Sequence, residues 1–224
     1  MVHDPTTVQD RTTWLIVLTG TFILTLSLAD LAATKFIILG GVVAPGGVFL
    51  FSIIFVVRDM LHKVAGQSYV RRTILVAAVL NLFVAAYFYF IAQMPAPEFF
   101  ELAEPWDAIF ALAPAIVLAS IAAAVISQLL NTYVYQRLWD AGRPQWARVV
   151  GSNLVSLPVD SVLFTALAFV ILPPAFGADT LALSDAVLRI ASGQTLFKLA
   201  IVLAMTPMVY LVPTRPDLEP TAVR

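Results

Sequence analysis

Successive runs of about twenty apolar residues, separated by short polar gaps, constrain this chain more than any other feature. A helix needs ~20 apolar residues to cross the hydrocarbon of a bilayer, and the chain supplies such runs repeatedly. They fall at Thr13–Ala33, Thr73–Gln93, Asp107–Leu130 with a continuation toward Gln136, Trp146–Leu172 and Val187–Val212. Between the first two lies a sixth, whose bounds depend on Pro45-Gly46-Gly47. That triplet is strong turn punctuation. It argues against one helix over Phe36–Val57 and favours an extracytoplasmic loop over Phe36–Ala44, with the helix starting near Gly47 and spanning Val48–Val64.

Composition agrees: 60% of the 224 residues are hydrophobic and 12% charged, against ~45–50% and ~25% in soluble domains. The expected fold is an all-α membrane protein of six transmembrane helices, with tails at 1–12 and 213–224 around a membrane domain over 13–212. The gaps leave no room for a soluble catalytic module. Net charge is −1, so no basic surface points to nucleic acid. Cysteine is absent, which removes thiolate chemistry and Cys-based metal sites. Metal binding through His62 needs partners, and the other histidine is His3. No nucleophile–base pair, His–Glu metal motif or nucleotide loop is present, so neither an enzyme nor a cofactor is expected.

Basic residues orient the helices. With the N-terminus inside, the cytoplasmic segments hold Arg11; Arg58, Lys63, Arg71 and Arg72; Arg137, Arg143 and Arg148; and Arg215 and Arg224. The outer segments hold Lys35 and Arg189, and Met94–Trp106 carries Glu98, Glu101 and Glu104 without a base. This asymmetry is the positive-inside pattern and places both termini on the cytoplasmic side. Three spans followed by three give halves of opposite orientation, each with a carboxylate in its second span, Asp59 and Asp160. That is the layout of a 3+3 inverted repeat.

Charges inside spans are functional candidates, because one at the bilayer centre costs at least ~2.5–3.5 kcal/mol. Asp160 and Lys198 lie near the middle of the fifth and sixth spans, and Asp59 follows Arg58 in the second. Asn153, Ser156, Asp160 and Phe164 share one helical face. Pro158 in that stretch frees the carbonyl of Leu154 to accept elsewhere. Ser120, Ser127 and Asn131 form a second stripe with Gln128 beside it, Gln194 and Lys198 are four apart, and Asn81 stands alone. Simpler readings stand beside these. Asp160 with Lys198 can be a structural ion pair, and the Ser and Asn residues can be interhelical glue. Arg58 and Asp59 can snorkel, Asp30 and Lys35 read as interface anchors, and His62 reads as solvated at the cytoplasmic edge. Ala29–Ala33 is a weak small-residue packing signal.

The same residues carry a family likeness. Phe51–Arg72 (FSIIFVVRDMLHKVAGQSYVRR), SQLLNTYVYQRL from Ser127, and ARVVGSNLVSLPVDSVLFTALAF from Ala147 resemble the queuosine-precursor transporter family, also called the vitamin uptake transporter family. The match is most specific at Arg148, Gly151, Ser152, Asp160, Ser161, Phe164, Ala168 and Phe169, with Phe197-Lys198, Pro207 and Tyr210 downstream. The chain departs from the family pattern at Asp30, often Asn, at Ser52, often Pro, and near Lys63, where an acidic residue is usual. The resemblance implies import of a 7-deazaguanine for tRNA modification: preQ0 (the nitrile base), preQ1 (the aminomethyl base) or queuine. Asp160 can accept adjacent N–H donors of such a base, and Asn153, Gln128, Gln194 or the freed carbonyl can complete the edge. Phe164 or Phe55 can stack on the ring. Lys198 can neutralise Asp160 when the site is empty, and Asp59 can receive a cationic aminomethyl group or a proton. Asp59 and Asp160 are both candidates for carrying a coupling proton. The alternative is a substrate-binding subunit of a vitamin importer that needs a separate energising module. Beyond the substrate, the partner is the lipid bilayer, and monomer and homodimer both stay open.

Overall fold

In the computed structural model, residues 5–172, 174 and 186–214 are described; Arg215 and Arg224 of the charge pattern lie outside them. Helix α1 (Pro5–Ala32) leads into strands β1 (Phe36–Leu39) and β2 (Val42–Pro45). Helices α2 (Val48–Ala65), α3 (Gln67–Ala92), α4 (Ala103–Asp140) and α5 (Gln145–Ala166) follow. A π-helical turn, Leu167–Ile171, extends α5, and another, Ala186–Ala191, leads into α6 (Ser192–Met205), which tightens to a 3-10 turn over Thr206–Leu211.

Five segments are long and apolar enough to cross a membrane: Arg11–Ala32, Gln67–Ala92, Ala115–Asp140, Gln145–Ile171 and Arg189–Leu211. They track the expected spans to within a few residues at most ends. The fourth begins later, at Ala115, and runs on to Asp140. Helix α2 is not among the five, because Arg58, Asp59 and Lys63 interrupt its 18 residues. It is instead the most enclosed element: all but Phe49, Leu50 and Ile53 are buried. It packs against α1 on one side and α6 on the other, while α4 lies between α3 and α5.

The bundle is apolar outside and polar inside. Val79, Phe83, Ile126, Leu154, Leu196 and Leu203 turn outward, whereas Asn81, Ser127, Gln128, Asn131, Asn153 and Asp160 are buried. A water-soluble protein shows the reverse, and rarely exposes so much contiguous apolar surface. Lipid suits this exterior. The resulting molecule is a multi-pass membrane protein.

The fold is mostly helical rather than strictly all-α. The expected loop over Phe36–Ala44 is an antiparallel hairpin, with Phe36 opposite Pro45 and Leu39 opposite Val42. Gly40 and Gly41 both have positive φ, at 55° and 81°, which the two-residue turn of a right-twisted hairpin requires. Ile37, Ile38, Val42 and Val43 on either side have the β-branched chemistry of strands. The hairpin folds back over the bundle: Phe36 meets the Phe169 ring at 5.1 Å, and Val42 fills the space beside Gly193 of α6.

Close approach at the end of the hairpin sets how α1 meets α2. A Cβ on Gly47 would lie 2.1 Å from the carbonyl oxygen of Ala29, a backbone atom that no rotamer change can move. Of the Ala29–Ala33 pair, Ala29 is therefore used within the chain, against this turn. Gly47→Ala is expected to destabilise the detergent-solubilised protein by about 3 kcal/mol, the upper part of the overpacking range. Gly20→Ala, which meets nothing within 4 Å and removes a glycine from a helix interior, should leave the melting midpoint unchanged or slightly higher. Equal midpoints for the two variants would contradict the close approach.

Candidate functional site

Helices α4, α5 and α6 each turn a polar stripe inward, and together with α2 they bring two buried ion pairs into the core. The first joins α5 to α6. Lys198 Nζ donates to Asp160 Oδ2 at 2.7 Å, and Ser127 of α4 donates to Asp160 Oδ1 at 2.7 Å. The same ammonium reaches Gln194 Oε1 at 3.2 Å and Ser161 Oγ at 3.4 Å, and lies over the Phe51 ring at 5.3 Å. Gln194 is anchored in turn by donating to Thr165 Oγ1 at 3.3 Å.

This pair opens onto a narrow, nearly filled cavity under the hairpin. Asp160, Lys198, Gln194 and Ser120 form its polar wall, and Phe51 and Phe164 face it with aromatic rings. Phe164 is held edge-on by Phe169 at 5.7 Å, and Phe169 in turn touches the hairpin. Pro45 and Gly47 close the hairpin side. A carboxylate accepts up to about four hydrogen bonds. With two taken by Ser127 and Lys198, Asp160 retains acceptor capacity toward the cavity.

The second pair belongs to α2. Arg58 Nη2 donates to Asp59 Oδ1 at 2.7 Å, with both side chains fully buried. Arg58 also donates to Gln128 Oε1 at 3.0 Å and to the carbonyl of Phe55 at 3.3 Å, and lies over the Phe55 ring at 5.2 Å. Asn153 Nδ2 donates to Asp59 Oδ2 at 3.0 Å, and its Oδ1 accepts from Asn131. Asn131 also donates to Ser156 Oγ at 2.8 Å. Chains of this kind cost much to break, since each member left alone is an unpaired polar group in low dielectric.

Of the sequence candidates, Asp160, Lys198, Gln194 and Phe164 thus meet at one cavity. Asp59, Asn153, Gln128 and Phe55 do not line it; they form the adjoining network that ties α2 to α4 and α5. Other expectations are corrected. Arg58 and Asp59 do not snorkel, since both are wholly buried. Asp30 is no interface anchor: it is buried and accepts from Asn81 and Ser120, so Asn81 is not alone either. Lys35, by contrast, is exposed. His62 is not solvated. Its Nε2 meets Gln136 Oε1 at 2.8 Å, the Tyr135 ring lies tilted against it at 4.4 Å, and Trp139 stacks with it at 6.4 Å. The carbonyl freed by Pro158 does not serve the site, because Leu154 and Pro158 both lie on the outward face of α5. A helical carbonyl points along the helix toward residue i+4, and so keeps that azimuth.

Phe51 was missed by sequence reading, although it sits three and four residues before Ile54 and Phe55 on the buried face of α2. Asp30 was also legible in part. Phe22, Leu26, Ala29, Asp30 and Ala33 are all buried on one stripe of α1, the periodicity of a packed helix.

The lipid-facing exterior defines a multi-pass membrane protein, and the paired carboxylate and ammonium at an internal cavity suit the binding of a small polar solute. The chain belongs to the family described as "Putative vitamin uptake transporter", which matches residues 45–212. This is a family of transporters, not of enzymes. The chain is also similar to the "Probable queuosine precursor transporter" of Bacillus subtilis (strain 168), with 28% identity over 187 residues, covering 81% of this chain and 77% of that protein. No solved structure matches the chain.

Proposed function

We propose that this protein carries a 7-deazaguanine queuosine precursor into the cytoplasm across a bacterial inner membrane, binding it at the Asp160–Lys198 cavity. The observation that carries this is the pairing of an acceptor and a donor on one cavity wall. A guanine-like edge presents a carbonyl oxygen next to two N–H donors. Asp160 matches the donors in bidentate fashion, and Lys198, 2.7 Å away, matches the carbonyl. Phe164 and Phe51 supply flat apolar surface for the ring. Kinship with the Bacillus subtilis protein named for queuosine precursors supports the same substrate class.

Helix α2 crosses as the sixth span. Its 18 residues extend about 27 Å at 1.5 Å per residue, close to the ~30 Å hydrocarbon thickness. Its charges are tolerable there because they are paired and enclosed. The basic-residue asymmetry puts both termini inside. Carboxylates on the second helix of each half, Asp59 on α2 and Asp160 on α5, fit an inverted repeat with the site at its interface.

A subunit of a multi-component importer binds substrate but does not move it alone. The purified chain, reconstituted by itself in liposomes, is expected to exchange labelled 7-cyano-7-deazaguanine across the bilayer. Tight binding without exchange would instead identify an importer subunit.

A further inference from the structure

Among the described residues three carboxylates are buried in the bundle, and two of them have cations. Asp59 has Arg58 and Asp160 has Lys198, each at 2.7 Å. Asp30, 1% exposed, has none among the described residues. Its partners are two neutral groups, the amide of Asn81 on α3 and the hydroxyl of Ser120 on α4.

The charged groups on the surrounding elements do not change this. On α2, Arg58 and Asp59 satisfy each other. On α3, Arg71 and Arg72 lie about 13–15 Å along the helix from Asn81. Between Asp107 and Arg137, α4 carries no charge, and neither does the hairpin. Asp160 across the cavity is held by Lys198, and Lys35 is exposed. Left ionised in such surroundings, a lone carboxylate costs far more than a neutral one.

Resting on the transport proposal above, we infer that Asp30 is the coupling-proton site of this carrier, linked to the substrate cavity through the hydroxyl of Ser120. Ser120 both contacts Asp30 and lines the cavity. A serine has one O–H to donate. When Asp30 is ionised, that O–H is taken by the carboxylate. When Asp30 is protonated, its own O–H can donate to Ser120, which turns its hydrogen toward the cavity and the base. Proton and substrate thereby favour each other's binding, and the linkage is reciprocal. The carboxyl O–H bond forms with a proton from water on the outer side. It breaks when the proton passes to water on the cytoplasmic side, and no other bond changes.

The test uses the purified full chain in liposomes with the membrane potential clamped and neutral 7-cyano-7-deazaguanine as probe. With one proton per substrate, an inward gradient of one pH unit should drive wild-type accumulation up to about tenfold. Asp30→Asn, which keeps hydrogen-bonding capacity toward Asn81 and Ser120, should still exchange labelled for unlabelled base, at a rate that no longer follows pH, yet accumulate none against a gradient. Exchange itself reports that the variant is folded. Gradient-driven accumulation by Asp30→Asn equal to wild type overturns the assignment. So does a wild-type protein that exchanges base but ignores the pH gradient, an outcome that leaves transport intact. Absence of wild-type exchange removes the transport proposal and this inference together.

Discussion

Asp160→Asn is expected to cut the uptake of 7-deazaguanines roughly 100-fold, since removing one partner of a buried, hydrogen-bonded charge pair costs about 2–5 kcal/mol and each 1.4 kcal/mol is tenfold. Two effects contribute. The amide can accept through only one atom, so the bidentate match to adjacent N–H donors is lost. Lys198 also loses its counter-ion and is left with Gln194, Ser161 and the Phe51 ring. Folding and binding contributions separate with Asp160→Asn/Lys198→Met, which removes the stranded ammonium. The double variant should regain membrane abundance and melting midpoint without regaining uptake. If it recovers uptake as well, Asp160 serves the fold and not the substrate.

Arg58→Met is expected to have the largest effect on stability. It leaves Asp59 with Asn153 alone and strips Gln128 Oε1 of its donor. Breaking one side of a buried ion pair costs about 3–5 kcal/mol, whereas replacing both sides with apolar residues of similar volume is often neutral. Arg58→Met/Asp59→Leu should therefore melt well above Arg58→Met in detergent. Similar midpoints for the two would show that the pair contributes little to stability. Asp59 does not line the cavity, so the double variant also tests whether that carboxylate touches substrate: retained uptake assigns it to bracing α2, and lost uptake with restored stability assigns it a direct part.

Depth along a helix was readable from the sequence, but lateral neighbourhood was not. Apolar runs located the five segments long and apolar enough to cross a membrane, and the helical spacing of Asn153, Ser156, Asp160 and Phe164 correctly gave the inward face of α5, where all four are buried. The same reasoning pooled Asp59, Gln128 and Phe55 with Asp160, because similar depth looks like proximity. Only packing shows that Arg58 draws Asp59, Gln128 and Phe55 into a network of their own. Asp30 and His62 were misread because they sit near the ends of their spans, where water is the default neighbour. Asn81 and Ser120 cover one, and Tyr135 and Trp139 the other, from positions more than fifty residues away in the sequence. The hairpin was read as a loop even though Gly40-Gly41 between β-branched pairs is a strand-turn-strand signal. Its importance lies in position: Pro45 and Gly47 form one wall of the cavity.

Queuosine in tRNA is the most direct readout of the central claim. The host strain should be unable either to make or to import 7-deazaguanines, express this chain in its inner membrane, and receive 7-cyano-7-deazaguanine in the medium. The wild-type chain should restore queuosine to tRNA, and Asp160→Asn at equal membrane abundance should not. No queuosine from any supplied deazaguanine despite an inserted chain, or full restoration by Asp160→Asn, would contradict the account.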